Sequence, residues 1–293
     1  MPKTLVTHNS RFHADDVFAA ATLTILFPDA RILRSRERSV LDSGDIVFDV
    51  GDVYDPTTLR FDHHQEGGAG KRDNNIPYAA FGLVWKEFGE KICGSKDIAE
   101  AIDKKVVQAI DAMDNGLDLY DPRIPGLFPY TFQTITFSCG PTWKEDPAET
   151  DQNFLKLVEF ARMILQREIV QARDGLEAVT YVEKAYEDAS DKRIIVLDDN
   201  YPWQTYLLTK IEPLYVLRKD IQSTNWKVEA VPAKTMSYEL RKEMPKSWAG
   251  KRDGEFVKVS GVPDAVFCHN NLFLAVAKSK EGALRLAQIA VES

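Results

Sequence analysis

The sequence predicts an α/β protein of two lobes, with a mainly parallel sheet flanked by helices in the N-terminal domain and a smaller α/β domain after it. In the first third of the chain, short apolar runs alternate with amphipathic stretches, which is typical of parallel strands connected by helices. Between residues 151 and 188, apolar residues recur at helical spacing without a proline, which predicts one or two long helices. Strand-type runs return after that segment. We therefore assign residues 1–150 to the N-terminal domain, 151–190 to a connecting helix and 191–293 to the C-terminal domain.

Local signals define the elements of the N-terminal domain. Apolar runs predict strands at residues 4–7, 31–33, 45–50 and 59–62, and amphipathic runs predict helices at 14–27, 79–88 and 99–114. Acidic residues in the first turn of the first helix complement its dipole, and Pro28 follows its end. The glycine-rich tract at 67–70 predicts a loop.

The C-terminal domain is predicted to consist of strands followed by one closing helix. The strand-type runs lie at residues 193–197, 213–218, 225–232, 265–269 and 272–277. The closing helix is predicted at 281–291.

Composition narrows the functional classes. Of the 293 residues, 44% are apolar, which is ordinary for a packed soluble protein. No apolar run approaches the roughly 18 residues of a membrane helix, and the first residues resemble no targeting leader, so we expect a cytoplasmic protein without membrane contact. The net charge of −8 argues against a protein that coats duplex DNA, although carboxylates gathered around metal ions would contribute to that sum.

Histidines and aspartates follow the predicted strands of the first domain. His8 comes directly after the first strand, Asp49 lies at the end of the third, and Asp62, His63 and His64 follow the fourth. In open parallel sheets, ligands bind at the carboxyl ends of the strands, at a switch point of the strand order. These residues are therefore expected to converge on one site.

Imidazole and carboxylate ligands together suit divalent ions such as Mn²⁺, Fe²⁺, Co²⁺ or Zn²⁺. The candidate ligands are too numerous for one tetrahedral site: His8, His13, Asp15, Asp49, His63, and Asp111 or Asp114. Two ions bridged by a carboxylate fit this set better, and such a pair polarises a phosphoryl oxygen and activates water for in-line attack. We expect two divalent ions, with Mn²⁺ preferred and Mg²⁺, Co²⁺ or Zn²⁺ as alternatives.

Four segments resemble the motifs of the DHH phosphoesterase superfamily, most closely its MYG branch. They are HNSRFHADD at 8–16, FDVG at 48–51, RFDHH at 60–64 and AIDAMDNG at 109–116. The segments NWKVEAVP at 225–232 and VSGVPDAVFCHNNLF at 259–273 resemble the same branch. The superfamily includes exonucleases, oligonucleotide phosphodiesterases and pyrophosphatases, and the resemblance implies a 3′–5′ exonuclease.

The resemblance also implies how the metal ligands are divided. His8 and His13 would bind one ion, Asp15 and His63 the other, and Asp49 would bridge them. His13 occupies a place that is acidic in many members of the superfamily, which leaves the choice of metal open.

The remaining roles at the site are implied in the same way. Asp111 or Asp114 would complete the first metal site, although both could instead belong to a helix C-terminal turn before Gly116. His64 would contact phosphate or give a proton to the leaving oxygen, and Asp62 would orient His63. His64, Asp49 and Asp62 are thus the expected catalytic residues. Asp16 is expected to be a solvated acid of the first helical turn and Asp52 a loop residue, with support of the metal ligands as the alternative for both.

Basic residues near aromatic residues are candidates for substrate contacts, because single strands are held by backbone charge and base stacking. In the loop at 67–72, Lys71 and Arg72 are predicted to face a phosphate, or to be ordinary surface charges. In the second domain the candidates are Arg218, Arg252 and His269, with solvated charge as the alternative.

The expected function is hydrolysis of phosphodiester bonds by two-metal catalysis, with release of mononucleotides from the 3′ end of short single-stranded RNA or DNA. One alternative is a phosphatase for pyrophosphate or a small nucleotide. Another is a nucleotide or metal sensor without turnover. The expected partners are single-stranded nucleic acid or a small nucleotide, and a homodimer is one option for the assembly.

Overall fold

The computed structural model describes residues 2–293 and confirms the α/β class. The chain divides into two compact units, one that extends to Arg173 and one that comprises Asp174–Ser293. The predicted boundaries at residues 150 and 190 stay predictions. Within the described residues, no helix is both long and apolar enough to cross a membrane.

The first unit contains a five-stranded sheet. Its strands are β1 (Thr4–Thr7), β2 (Arg31–Arg34), β3 (Ile46–Phe48), β4 (Tyr54–Asp55) and β5 (Arg60–Phe61). The strand order is β2-β1-β3-β5-β4, and all pairs are parallel except β4 with β5. The parallel sheet is as predicted, whereas the short edge strand β4 was not predicted.

Helices surround this sheet and extend beyond it. They are α1 (Ala14–Leu26), α2 (Arg38–Ser43), α3 (Ala80–Cys93), α4 (Lys96–Ile102), α5 (Gln108–Asp114), α6 (Phe132–Ser138) and α7 (Thr150–Asp188). A π-helical turn, Asp103–Val107, joins α4 to α5 where the sequence predicts one regular helix. The long helix predicted after residue 150 is a single helix, α7.

The two faces of the sheet pack into different apolar clusters, because successive side chains of a strand point to opposite faces. Leu5 and Ile46 belong to the main core with residues of α1 and α3. Val6 and Val47 pack on the other face with Leu41 of α2. The strands are therefore held between helices, and their carboxyl ends are left for the site.

The second unit contains another five-stranded sheet. Its strands are β6 (Ile194–Val196), β7 (Tyr215–Lys219), β8 (Trp226–Ala230), β9 (Ala265–Cys268) and β10 (Leu274–Ala277). The order is β6-β7-β8-β10-β9, parallel only between β6 and β7. The helices are α8 (Gln204–Leu207), α9 (Asp253–Ser260) and α10 (Lys280–Glu292), and α10 packs on the sheet as the predicted closing helix.

Candidate metal centre

Three strands of the N-terminal sheet are followed by candidate ligands at their carboxyl ends, which lie at the same edge of the sheet. His8 follows β1, Asp49 follows β3, and His63 follows β5 after one intervening residue. β1 and β3 are neighbours although β2 lies between them in sequence, so this edge is a switch point of the strand order, where α/β proteins bind ligands. Asp15 at the start of α1 and Asp114 at the end of α5 lie in the same cluster.

The ring of His8 is oriented by the backbone. Its Nδ1 lies 2.9 Å from the carbonyl oxygen of Asn9, to which a protonated Nδ1 donates. The other nitrogen, Nε2, lies 3.1 Å from Oδ2 of Asp49 and 3.2 Å from Oδ2 of Asp16. When His8 is neutral, the lone pair of Nε2 therefore faces the space beside these carboxylates, where a cation bound by all three groups would lie.

Asp49 stands between two histidines. While its Oδ2 faces His8, its Oδ1 lies 3.3 Å from Nε2 of His63. The same His63 nitrogen lies 3.3 Å from Oδ2 of Asp114 and 3.8 Å from Oδ2 of Asp15. Each oxygen of Asp49 thus serves a different group of ligand atoms, which is the arrangement a bridging carboxylate requires.

The cluster contains buried polar atoms that lack hydrogen-bond partners, as expected of atoms that bind a metal ion. Buried polar atoms normally have hydrogen-bond partners, but both carboxylate oxygens of Asp15 and of Asp49, and Nε2 of His63, have none with hydrogen-bond geometry among residues 2–293. Donor atoms that share a cation at about 2.1 Å lie about 3.0 to 3.4 Å from one another. The separations of 3.1 to 3.3 Å around Asp49 match that spacing.

Three groups of residues bring ligand atoms close enough for an ion. They are His8 with His13 and Asp49, Asp49 with His63 and His64, and His13 with Asp15 and Asp114. The groups share Asp49 and His13, so the ligand atoms form one continuous cluster whose residues fit a divalent ion.

The protonation equilibria of the cluster reflect crowded negative charge. Burial and the nearby Asp49 carboxylate raise the pKa of Asp15 well above its usual range. Burial would raise the pKa of Asp49 too, but His63 and His8 hold the pKa of this carboxyl below its usual value. Burial disfavours a charged His8, but Asp16 and Asp49 outweigh this effect and raise the pKa of His8 to about 10. Divalent cations would replace these protons.

Comparison with known proteins identifies the family. The model of a family labelled MYG1 exonuclease and described as uncharacterised protein family UPF0160 matches residues 4–291. The chain belongs to this family. The resemblance to the MYG branch is thereby confirmed.

Relatives in this family match the chain along nearly its whole length. The MYG1 protein of Dictyostelium discoideum is 32% identical over 97% of this chain and 95% of the relative. The human MYG1 exonuclease is 29% identical over 98% of this chain and 85% of the relative. Among solved structures, a pGpG-specific phosphodiesterase from Vibrio cholerae aligns with 99% of this chain and 100% of its own, at 14% identity and a TM-score of 0.35. A structural similarity this low assigns neither fold nor function.

Asp62 contacts a different ring from the one expected. Its Oδ1 lies 2.8 Å from Nδ1 of His64, whereas it contacts His63 only through the backbone N–H. Its Oδ2 accepts the N–H of Asp52 at 2.6 Å. Hydrogen bonding to Asp62 raises the pKa of His64. The structure therefore corrects the expectation that Asp62 orients the ring of His63.

Asp111 lies outside the ligand cluster. Its Oδ2 is 2.7 Å from Nη1 of Arg72, and its Oδ1 accepts the N–H of Gly82, near the start of α3, at 2.9 Å. A helix N-terminus has unpaired N–H groups, so a buried carboxylate here stabilises the helix. Of the two alternatives, the structure places Asp114 among the ligand atoms and Asp111 in this ion pair.

The two basic residues of the loop at 67–72 that were predicted to contact phosphate have different environments. The side chain of Arg72 is 8% exposed, and its guanidinium pairs with Asp103 at 2.8 Å as well as with Asp111. It has no free face for a phosphate, which corrects the expectation that it binds substrate. Lys71 is exposed.

In the second unit the predicted substrate contacts have local partners. Arg218 makes a two-pronged ion pair with Glu229, at 2.7 and 2.8 Å, which contradicts a guanidinium left free for substrate. The guanidinium of Arg252 lies 4.2 Å from the centroid of the Phe267 ring. The ring of His269 lies 4.4 Å from that of Phe273.

Two residues at the site were not assigned to it from the sequence. Asp16 is fully buried, not solvated: its Oδ1 accepts the N–H of His13 at 2.9 Å while Oδ2 faces His8. Arg36 lines a cavity of about 450 Å³ that also contains Asp49 and His64. Asp16 directly follows Asp15 in the sequence, and Arg36 lies two residues after the end of β2. These positions are the sequence signal that could have indicated them.

Proposed function

We propose that this protein is a divalent-metal-dependent phosphodiesterase that releases mononucleotides from the 3′ end of short single-stranded RNA or DNA. The observation that carries the proposal is the Asp49 carboxylate, buried between His8 and His63 with its oxygens turned to separate groups of ligand atoms. Relatives named MYG1 exonuclease support the substrate class.

Two ions would be held by His8, His13, Asp15, Asp49, His63 and Asp114. When bound, such a pair neutralises charge on a phosphoryl group and lowers the pKa of water. Asp49 orients both groups of ligands because one oxygen faces each, and Asp16 fixes the start of α1 beside His8. The protein thus supplies a buried set of ligands whose negative charge the cations would neutralise.

His64 and Arg36 lie where a substrate would enter. The side chain of His64 is 55% exposed, and its Nδ1 is engaged by Asp62, so Nε2 is the atom it offers to a leaving oxygen. Arg36 is exposed on the same cavity and would bind a non-bridging phosphate oxygen.

The test is release of mononucleotides from a 5′-labelled short RNA. We expect a ladder that shortens from the 3′ end with Mn²⁺ and no cleavage with chelator. Asp49→Asn should reduce turnover by about 10³-fold or more, because its oxygens serve both ligand groups. Asp29→Asn, a surface carboxylate in the same unit, is the matched control and should keep wild-type turnover.

Other outcomes distinguish the alternatives. Turnover of pyrophosphate without cleavage of RNA would replace the proposal with a small-molecule phosphatase. Two ions bound per chain without any product would favour a sensor. Wild-type turnover by Asp49→Asn with unchanged metal content would contradict the two-metal mechanism.

A further inference from the structure

A groove lies beside the ligand cluster in the first unit. It has a volume of about 650 Å³ and is formed by the segment after β1, the end of α6 and the segment before α7. Its lining includes Ser10, Arg11, Phe137, Trp143 and Asp151. None of them was a predicted site residue.

Phe137 connects the groove to the ligand cluster. Its ring centroid is 5.9 Å from that of His13, at an interplanar angle of 78°. The side chain is 41% exposed, and the guanidinium of Arg11 lies 4.2 Å from its ring centroid. An aromatic surface with a cation therefore stands directly next to a candidate metal ligand.

Trp143 is a second aromatic residue in the same groove. It is 89% exposed, and Nζ of Lys144 lies 4.9 Å from its ring centroid. By contrast, Trp85, Trp203 and Trp248 are at most 3% exposed and belong to the apolar cores. Exposing an indole to water is unfavourable, so a ligand that covered the ring would gain free energy from burying it.

The groove has a fixed wall and a favourable charge. Arg34 donates to the carbonyl oxygen of Ser10 at 2.8 Å and pairs with Asp151 at 2.7 Å, which anchors the segment after β1 and compensates the one carboxylate in the lining. Arg11 has no carboxylate partner among residues 2–293. The uncompensated charge is therefore positive, as a phosphate backbone requires.

We propose that this groove is a base-stacking subsite for single-stranded nucleic acid. Phe137 stacks on the base nearest the reacting phosphate, Trp143 stacks on a neighbouring base, and Arg11 contacts the backbone between them. The inference rests on the proposed function and deepens it, because it makes base stacking, not only phosphate binding, the basis of substrate choice. A substrate without bases, such as pyrophosphate, gains nothing from this surface.

Trp143→Ala tests the subsite through activity. Stacking on an aromatic side chain contributes about 1 to 3 kcal/mol per base, so KM for a short RNA should rise about 5- to 150-fold while kcat stays near wild type. For an oligonucleotide whose 3′-terminal nucleotides are abasic, wild type and variant should have the same KM. Phe128→Ala is the matched control, since Phe128 is 65% exposed in the same unit but does not line the groove.

Tryptophan fluorescence separates this inference from the proposed function. In the Asp49→Asn protein, RNA should quench tryptophan emission, and adding Trp143→Phe should abolish the quenching but retain affinity. Quenching without cleavage by the wild type would leave the subsite standing and refute the exonuclease proposal. Three results would each overturn the subsite. They are an unchanged KM in Trp143→Ala, the absence of quenching that depends on Trp143, and conversion of a dimer to a monomer in Trp143→Ala.

Discussion

Asp49 owes its position to an uncommon backbone conformation. Its φ is 55°, in the left-handed region, where aspartate is better tolerated than most residues. Gly51 and Asp52 follow with φ of 103° and 56°, so the chain turns sharply after β3. Such strain costs about 1 to 3 kcal/mol and persists at functional sites where surrounding contacts enforce it. The turn follows the strand end at which the Asp49 carboxylate lies beside His8 and His63.

Asp16 shows why single residues are difficult to assign from sequence. Two adjacent acids in a first helical turn look equivalent, because both complement the helix dipole. The contact that distinguishes Asp16 is with His8, which the sequence does not place near it. By contrast, His8, Asp49 and His63 were predictable, because each follows a strand of one parallel sheet.

We expect Asp16→Asn to weaken metal binding without preventing folding. Its Oδ2 lies 3.2 Å from Nε2 of His8, so the amide would lose the charge that holds this ring and helps to bind a cation. Loss of a residue that supports a metal ligand typically reduces metal affinity about 10- to 100-fold. Calorimetric titration with Mn²⁺ measures the change, with Asp29→Asn as control. Equal affinity in both variants would show that Asp16 serves only to begin α1.

The helix that carries the last ligand was only partly predictable. The sequence indicates a regular helix over 99–114, but the π-helical turn Asp103–Val107 adds a residue to one turn. An extra residue rotates the following face by about 100°. Periodicity before the turn therefore could not decide which of Asp111 and Asp114 faces the cluster.

Gly82 allows Asp111 to approach the start of α3. A Cβ at this position would lie 1.8 Å from Oδ2 of Asp111 and 2.9 Å from Nη2 of Arg72. Gly82→Ala should therefore displace the buried ion pair and lower the free energy of unfolding by about 3 to 5 kcal/mol. Urea denaturation measures this change, while the number of metal ions per chain should stay the same.

Gly175 provides the control for that substitution. It lies within α7, and a Cβ there would meet nothing within 4 Å. Gly175→Ala should raise stability by about 0.5 to 1 kcal/mol, because alanine favours helices. If Gly82→Ala were as stable as Gly175→Ala, the packing of Asp111 on α3 would be refuted; if it lost one metal ion, Asp111 would belong to the centre.

At the scale of the whole molecule, long and periodic elements were predictable and short ones were not. The parallel sheet, α1 and α7 have strong signals of period and length. Helix α6 has only seven residues, two of them threonines inside it, and begins with a Thr131 cap that binds the N–H of Thr134. This helix carries Phe137, so the groove beside the cluster could not be predicted from the sequence.

The charge of the cluster also affects the stability of the whole protein. Burial raises the pKa of Asp15 and, against the effect of His8, that of Asp16. The metal-free folded state therefore keeps protons that the unfolded chain releases near about pH 4, and its stability falls as the pH rises above that value. His8, with its pKa raised to about 10, adds a further loss between about pH 6.5 and 10. The lowered pKa of Asp49 has the opposite effect and stabilises the folded state as the pH rises, but this stabilisation no longer increases above about pH 4.

Metal should reverse this trend, because its ligands bind only after losing their protons. We expect the Tm of chelator-treated protein to fall from about pH 5.5 to about pH 8.5, and the increase in Tm caused by Mn²⁺ to widen over the same range. At about 100 times the Kd, bound ions stabilise the folded state by about 2.7 kcal/mol per site. Differential scanning calorimetry with and without Mn²⁺ measures both trends, and Asp15→Asn, which removes one buried carboxylate, should flatten them while Asp29→Asn should not. A Mn²⁺ effect of the same size at all pH values would mean that the ions bind at surface carboxylates, because these are already ionised above about pH 5.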